Sequence, residues 1–358
     1  MLAIRCPGAI IKQIKNKGVL HMFLDLEQIR KITCGAVQVE QGADGVRFYR
    51  FNRQQMDMYA TKKPVFYRKS QLTAGIRLCF RTDSMRLSLD VLLETGGTSE
   101  IFSLEVYADD HRVGEIDSCT PTGQAVEYQG VSYRVERAGG DFLLGGGDKT
   151  VTVFLPWSRI THLCSIRLDE GAYIRPVKRE KTLLVFGDSI THGVQAEHPS
   201  KRYVARLADA LQAEEHNKAI GGDQFCPEVV QLQDPMKPDY VLAAYGTNDW
   251  RNAKRADFER NCTAFFSMLA ERYSQCPIFV ITPIWRADQD AETDFDSFHD
   301  IAAYIEKEAS AIPNAKVICG YDLVPHAPEF FGDARLHPND AGFDCYFTNL
   351  YDAIKPYL

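Results

Sequence analysis

The ten cysteines of this 358-residue chain include no C-x-x-C pair, so neither a zinc-binding nor a dithiol redox motif is written into it. They stand apart at positions 6, 34, 79, 119, 164, 226, 262, 276, 319 and 345, and are read as reduced, mostly buried small side chains. No apolar run approaches the roughly 20 residues that cross a bilayer, so a soluble protein with no membrane partner is expected. Positive charge is in deficit: 41 Lys and Arg stand against 48 Asp and Glu, a net −7 that argues against a nucleic-acid partner. The opening stretch "MLAIRCPGAIIKQIKNKGVL" interrupts its apolar residues with Arg5, Lys12, Lys15 and Lys17 and lacks the core of a secretory signal, so a cytoplasmic location is expected. Internal repeats and low-complexity segments are missing as well. What remains is a globular composition, 45% hydrophobic and 25% charged, on a length that suits two domains.

Two textures divide the chain. From about residue 30 to 175 short alternating runs such as "GVRFYRF", "GIRLCF", "RLSLDVLL", "IFSLEVYADD" and "TVTVFLPW" are separated by turn clusters such as "ETGGTSE" and "AGGDFLLGGGD". That pattern predicts an all-β sandwich. From about 180 onward apolar runs alternate with amphipathic segments: "TLLVF" with "RYVARLADALQAE", "DYVLAAY" with "ADFERNCTAFFSMLAERY", and "PIFVITPIW" with "FDSFHDIAAYIEKEASAI". Strand and helix in alternation predict a mostly parallel sheet covered on both faces. The polar join "GAYIRPVKREKT" at 171–182 places the boundary at Pro176, giving domains 1–176 and 177–358.

Open parallel sheets carry their functional groups in the loops beyond the carboxyl ends of the strands. Four such exits stand out: Gly187-Asp188-Ser189 after "TLLVF", Gly221 and Gly222 after "HNKAI", "GTND" after "DYVLAAY", and "DARLHPND" before the last helix. A serine hydroxyl becomes a useful nucleophile when an imidazole takes its proton, and Ser189 with His337 can fill those roles. The Ser189 amide, the Gly222 amide and the Asn248 side chain can supply donors to an oxyanion. Competing motifs are absent. Ile190 and Thr191 follow Ser189, so there is no G-x-S-x-G elbow, and "GDSITHGV" has neither the G-K-[ST] of a phosphate loop nor three spaced glycines.

"GDSI", the glycines of "NKAIGGD", "GTND" and "HPND", in that order, resemble the SGNH or GDSL hydrolases over about residues 182–350. The resemblance implies a flavodoxin-like three-layer α/β/α domain with Ser189 as nucleophile, Gly222 and Asn248 completing the oxyanion hole, and His337 as general base. In that family an Asp sits three residues before the His. Here that position is Ala334, and Asp333 is four residues before. Asp333 reaching His337 through a one-residue bulge is the expectation; a backbone carbonyl orienting the imidazole, with Asp333 capping the turn, is the alternative.

Other polar residues have plainer readings. Asp188, beside the nucleophile, is expected to shape the turn by hydrogen bonding rather than to serve as the triad acid, and Asp249 and Asp340 are expected to tie loops together. His192, His198, His216, His299 and His326 show no H-E-x-x-H spacing, so neither a metal nor a cofactor is expected. Trp250 and Trp285, next to strand exits, are candidates for the pocket wall. A sandwich ahead of such a domain resembles two-domain bacterial carbohydrate esterases, including those of family two, with a jelly-roll-like front. The expected function is hydrolysis of short acyl esters, acetyl on sugars or oligosaccharides, with a small ester as partner. A lipase or thioesterase for longer chains, and an inactive binding protein on the same scaffold, are the other readings. Oligomeric state has no signature.

Overall fold

The computed structural model describes residues 21–358 except 98, 119–121 and 129–130. The opening stretch read for a leader, Cys6 and Cys119 lie outside the described residues. Of the other eight cysteines all are free, and Cys34, Cys79, Cys226, Cys262 and Cys276 are buried.

The front of the chain forms two antiparallel sheets packed face to face. One has seven strands in the order Gln38–Gln41, Val46–Tyr49, Arg159–Asp169, Arg86–Thr95, Val131–Leu143, Thr122–Tyr128, with His21–Phe23 added along Arg159–Asp169. The other has six: Arg175–Pro176, Arg77–Thr82, Lys149–Phe154, Ser103–Ala108, His111–Asp117, with Thr33–Cys34 on Arg77–Thr82. Alternation dictates this packing, because successive side chains in a strand point to opposite faces. Leu87, Leu89, Val91 and Leu93 therefore all face inward, meeting Leu104, Val106, Val151 and Val153 of the opposite sheet in one core.

The segment "GVRFYRFNRQQMDMY" departs from the strand texture. It holds the strand Val46–Tyr49 and then turns into the helix Arg53–Lys62, followed by Pro64–Ser70. Asn52 opens the helix with a capping box: its Oδ1 accepts from the Gln55 amide at 2.8 Å while Gln55 Oε1 accepts from the Asn52 amide at 3.3 Å. Pro64 opens the second helix, where a missing N–H costs nothing. Both helices leave the sandwich.

The rest of the chain is a five-stranded parallel sheet ordered Ala213–Asn217, Lys181–Gly187, Tyr240–Ala244, Ile278–Ile281, Ala315–Ile318. In chain order this is 2-1-3-4-5, the doubly wound flavodoxin-like arrangement. Strand parity splits its two faces. Leu184, Phe186, Val241, Ala243, Ile278 and Val280 pack under the helices Arg255–Arg272 and Phe298–Ser310. Leu183, Val185, Leu242, Phe279 and Ile281 pack under Tyr203–Ala210 and Asp340–Ile354. The first of these cores also takes in Tyr49, Phe51, Met56, Tyr59 and Phe66, so the two front helices are docked against the parallel-sheet layer. Among the described residues, no helix is long and apolar enough to cross a membrane.

Candidate active site

The strand order reverses at Lys181–Gly187, whose neighbours on either side are the second and third strands, and the crevice forms beyond its carboxyl end. There Asp188 caps a four-residue helix, Ser189–His192, its Oδ1 accepting from the Ile190 amide at 3.0 Å. Ser189 is the first helical residue and is 6% exposed. Gly187, just before, has no room for a side chain: a Cβ there would lie 2.5 Å from Thr191 Oγ1 and 2.9 Å from the Ala244 carbonyl oxygen.

His337 arrives from the loop before the last helix, whose N-terminus Asn339 caps by accepting from the Gly342 amide at 3.0 Å. Its Nε2 is 2.8 Å from Ser189 Oγ and its Nδ1 is 2.7 Å from Asp333 Oδ2. Asp333 Oδ1 accepts from the amides of Arg335, Leu336 and His337 at 3.0, 2.8 and 3.0 Å. The extra residue between acid and histidine is absorbed at Ala334, whose φ is +55°. Burial works against charge on Asp333, but the bonds from the His337 ring and from the Leu336 and His337 amides prevail and hold it well below the usual carboxylate range. An ionised acid, an imidazole and a hydroxyl thus form one continuous chain.

The oxyanion candidates line the same cavity as Ser189. Gly222 has φ +87°, a conformation that suits glycine, while the space at its Cβ position is ordinary, with neighbours at 3.7 and 3.8 Å. Asn248 lies in the helix Thr247–Asn252 and donates one amide proton to the Asp223 carbonyl at 2.9 Å, leaving its second proton for a ligand. Among the described residues, neither the Ser189 nor the Gly222 amide has an acceptor in the chain. Ser189, Gly222, Asn248 and His337 all line one cavity of about 480 Å³.

Three carboxyls sit behind this surface. Burial, with the Asp223 charge adding to it, pushes Asp188 up to about 7 and Asp249 up to about 8. Asp223 is raised as well, also by burial. Asp249 Oδ1 accepts from the Phe225 amide at 3.2 Å, joining the loops at two strand exits, and Asp223 Oδ2 accepts from the Tyr59 hydroxyl at 2.8 Å, which ties the second of these loops to the front helix. Asp340 ties Glu197 and His198 to the last helix, accepting from the Glu197 amide at 2.9 Å and meeting His198 Nδ1 at 2.6 Å. Glu197, His198 and Asp340 also place donor atoms within 4.8 Å of one another, a grouping of potential metal ligands that their separation in sequence hides.

The two tryptophans chosen for the pocket wall do not line it. Trp250 is 1% exposed, with its ring 5.2 Å from Phe298 and the Arg286 guanidinium 4.5 Å over it. It follows Asn248 by two residues, which turns it to another face of the helix. Trp285 stacks on His326 at 5.6 Å and packs on Phe331 at 5.2 Å. The tryptophan that does line the cavity is Trp157, from the front half, held by a 2.8 Å bond from its indole N–H to the Ala196 carbonyl. Leu72, Glu100, Ile101 and Lys69 reach the cavity from the same half. No local sequence signal marks them, because they come from turns and a short helix in the front part of the chain.

Residues 185–345 match the model of the GDSL-like lipase/acylhydrolase family. No curated protein matches the sequence. Among solved structures, the chain is similar to the salicylyl-acyltransferase SsfX3 from a tetracycline biosynthetic pathway, with TM-score 0.74, 20% identity and coverage of 91% of this chain and 94% of that one. It is also similar to a family two carbohydrate esterase from Cellvibrio japonicus, with TM-score 0.59, 16% identity and 95% and 99% of the two chains covered. An acetyl xylan esterase from Butyrivibrio proteoclasticus gives TM-score 0.58, 12% identity and coverage of 95% and 98%. At such identities the likeness is one of fold, and it takes in the sandwich as well as the parallel sheet. The stretch 185–345 is thus similar to the GDSL-like lipase/acylhydrolases, and the chain is an ester hydrolase.

Proposed function

We propose that this hydrolase removes short acyl groups, acetyl foremost, from O-acylated sugars or oligosaccharides, with Ser189 as nucleophile, His337 as general base and Asp333 as the acid that orients it. The observation that carries the reading is the hydrogen-bonded chain from Ser189 Oγ through His337 to Asp333 Oδ2, at 2.8 and 2.7 Å. As Oγ bonds to the ester carbonyl carbon, its proton passes to His337 Nε2, and the imidazolium is stabilised by the Asp333 charge. The carbonyl oxygen, now an oxyanion, takes hydrogen bonds from the Ser189 and Gly222 amides and the Asn248 side chain. Collapse expels the alcohol, which takes the proton from His337. Water then repeats the sequence on the acyl-enzyme and frees Ser189.

The choice of a short acyl group is supported by a cavity walled on one side by the front half, where Leu72, Ile101 and Trp157 present apolar surface. The carbohydrate assignment is supported by the likeness in fold to the Cellvibrio and Butyrivibrio enzymes, which are named for that chemistry. The division of labour follows the boundary at Pro176, with 1–176 supporting and 177–358 catalytic: the two antiparallel sheets end with Pro176 paired to Phe80, and the parallel sheet begins with Lys181 paired to Ala213. Free thiols throughout the described chain suit a reducing compartment, and the cytoplasm is the location we favour.

An acyl-length series of 4-nitrophenyl esters from acetate to octanoate, read with S189A as control, tests this. Acetate is expected to have the highest kcat/KM, each misplaced methylene costing roughly 1–3 kcal/mol of transition-state binding, and S189A is expected to be inactive. A maximum at octanoate would sink the deacetylase reading in favour of a lipase or thioesterase. Full turnover by S189A would remove the nucleophile.

A further inference from the structure

A cation beside the oxyanion glycines comes from the front half of the chain. Lys69 lies in the helix Pro64–Ser70, and its Nζ donates to the Gly221 carbonyl oxygen at 2.6 Å. That carbonyl belongs to the same planar peptide as the Gly222 N–H, and in a trans unit the two groups point in opposite directions. Fixing the oxygen at one edge of the plane fixes the direction in which the N–H leaves the other. The hold also has an electrical side: a cation on the oxygen draws electron density from the amide and makes its N–H a stronger donor.

Several features make this contact specific. Lys69 has no carboxylate within ion-pair distance among the described residues, and its Nζ lies 5.7 Å from the Phe66 ring centroid. A Cβ on Gly221 or on Gly222 would lie 3.7 Å from the same Nζ, so the ammonium is seated against both glycines. Glycine at 222, with φ +87°, leaves the peptide a softer rotor than any other residue would, which is where an external clamp has most effect. A second tie runs parallel to it. The Tyr59 hydroxyl, from the preceding helix, donates to Asp223 Oδ2 at 2.8 Å, and the Asp223 carbonyl in turn receives the Asn248 amide at 2.9 Å.

We infer that Lys69 is a positioning residue of the oxyanion hole: the supporting half of the chain, through Lys69 on the Gly221 carbonyl, aims and strengthens the Gly222 N–H in the half that carries the nucleophile. The inference rests on the proposed role of Gly222 as an oxyanion donor. Because the oxyanion exists only after attack, the clamp acts on the transition state and leaves ground-state binding nearly untouched.

The test is steady-state hydrolysis of 4-nitrophenyl acetate by wild type, K69M, K69Q, K69R, S189A and N248A, with the melting temperature of each. K69M, which keeps the stem and loses the donor, is expected to lower kcat by about 10-fold or more, below the roughly 10²–10³ of a direct donor such as Asn248. Its KM should stay within about 3-fold of wild type and its melting temperature within a few degrees. K69R, which restores a cationic donor, should recover most of kcat, and K69Q, a donor without charge, should fall between. Wild-type kcat in K69M, with S189A and N248A impaired, would overturn the inference and leave the proposed function standing. So would equal losses in K69M, K69Q and K69R that track a fall in melting temperature, since the contact would then be structural only. Retention of activity by S189A or N248A would instead strike at the underlying reading.

Discussion

At the scale of single residues, the site turns on how a displaced acid still reaches its histidine. Ala334 occupies the place at which the resemblance leads one to look for an aspartate, and it turns into the left-handed region at φ +55°. A non-glycine residue there costs roughly 1–2 kcal/mol. The cost is offset by three backbone amides converging on Asp333 Oδ1. D333N keeps the shape of the loop but removes the charge that supports the imidazolium, and kcat is expected to fall by roughly 10²–10⁴-fold. Steady-state turnover checks this; a loss below a few-fold would assign the orientation of His337 to the backbone. The same carboxyl has a signature in stability. Its native pKa is depressed, so its contribution is fully present above the unfolded value near 4 and fades as pH falls from there toward the native value. The stability gap between wild type and D333N, followed by urea midpoints, should be constant from pH 7 to about 5 and shrink toward pH 3. A gap that widens on acidification would contradict the depressed pKa.

Elements set the aim of the nucleophile. The turn from Lys181–Gly187 into Ser189–His192 is crowded on its concave side, where Thr191 Oγ1 is bonded to the Tyr203 hydroxyl at 2.8 Å and cannot give way freely. G187A places a methyl against Thr191 Oγ1 and against the Ala244 carbonyl oxygen. Overpacking of this kind costs roughly 1–3 kcal/mol, and any relief must shift the turn that carries Ser189. Both the urea midpoint and the turnover of G187A should therefore fall, and an unchanged midpoint would show that the turn relaxes freely. The 247–252 helix is anchored in the same spirit: Arg286 donates to the Thr247 carbonyl oxygen and hydroxyl, both at 2.9 Å, and holds Asp288 at 2.7 and 2.9 Å with its other nitrogens. Asn248 lines the cavity from a helix end that the buried Arg286 holds still.

For the whole molecule the consequence is interdependence. Tyr59 and Phe66 belong to the core that includes Phe225, Val229 and Tyr245, and Arg50 donates to the carbonyls of Asn217 and Ala219 at 2.7 and 3.1 Å. Residues 177–358 expressed alone would bare that apolar face and leave those carbonyls without their donor. The fragment is expected to aggregate, or to lack the near-ultraviolet circular dichroism of a packed core. A monomeric fragment with a cooperative unfolding transition would show the front helices to be dispensable for folding.

Strand alternation, four ordered loop motifs and the strand-to-helix rhythm are local properties, carried by spacings of two and about three and a half residues. From them the sequence alone determined the two sheet systems, the parallel sheet's covered faces and the placing of Ser189, Gly222, Asn248 and His337 at strand exits, while leaving open whether Asp333 or a backbone carbonyl orients the histidine. It was silent where the deciding contact joins residues far apart in the chain. Lys69 meets Gly221 across 152 positions, and Trp157 rather than Trp250 or Trp285 lines the cavity. Which face of a short helix turns inward, and which side chain of a neighbouring domain reaches a loop, depend on how the layers dock. That docking is a sum of many small, non-directional apolar contacts spread over both halves. No short motif records such a sum, so the furnishing of the site by the front half was decided only by the tertiary structure.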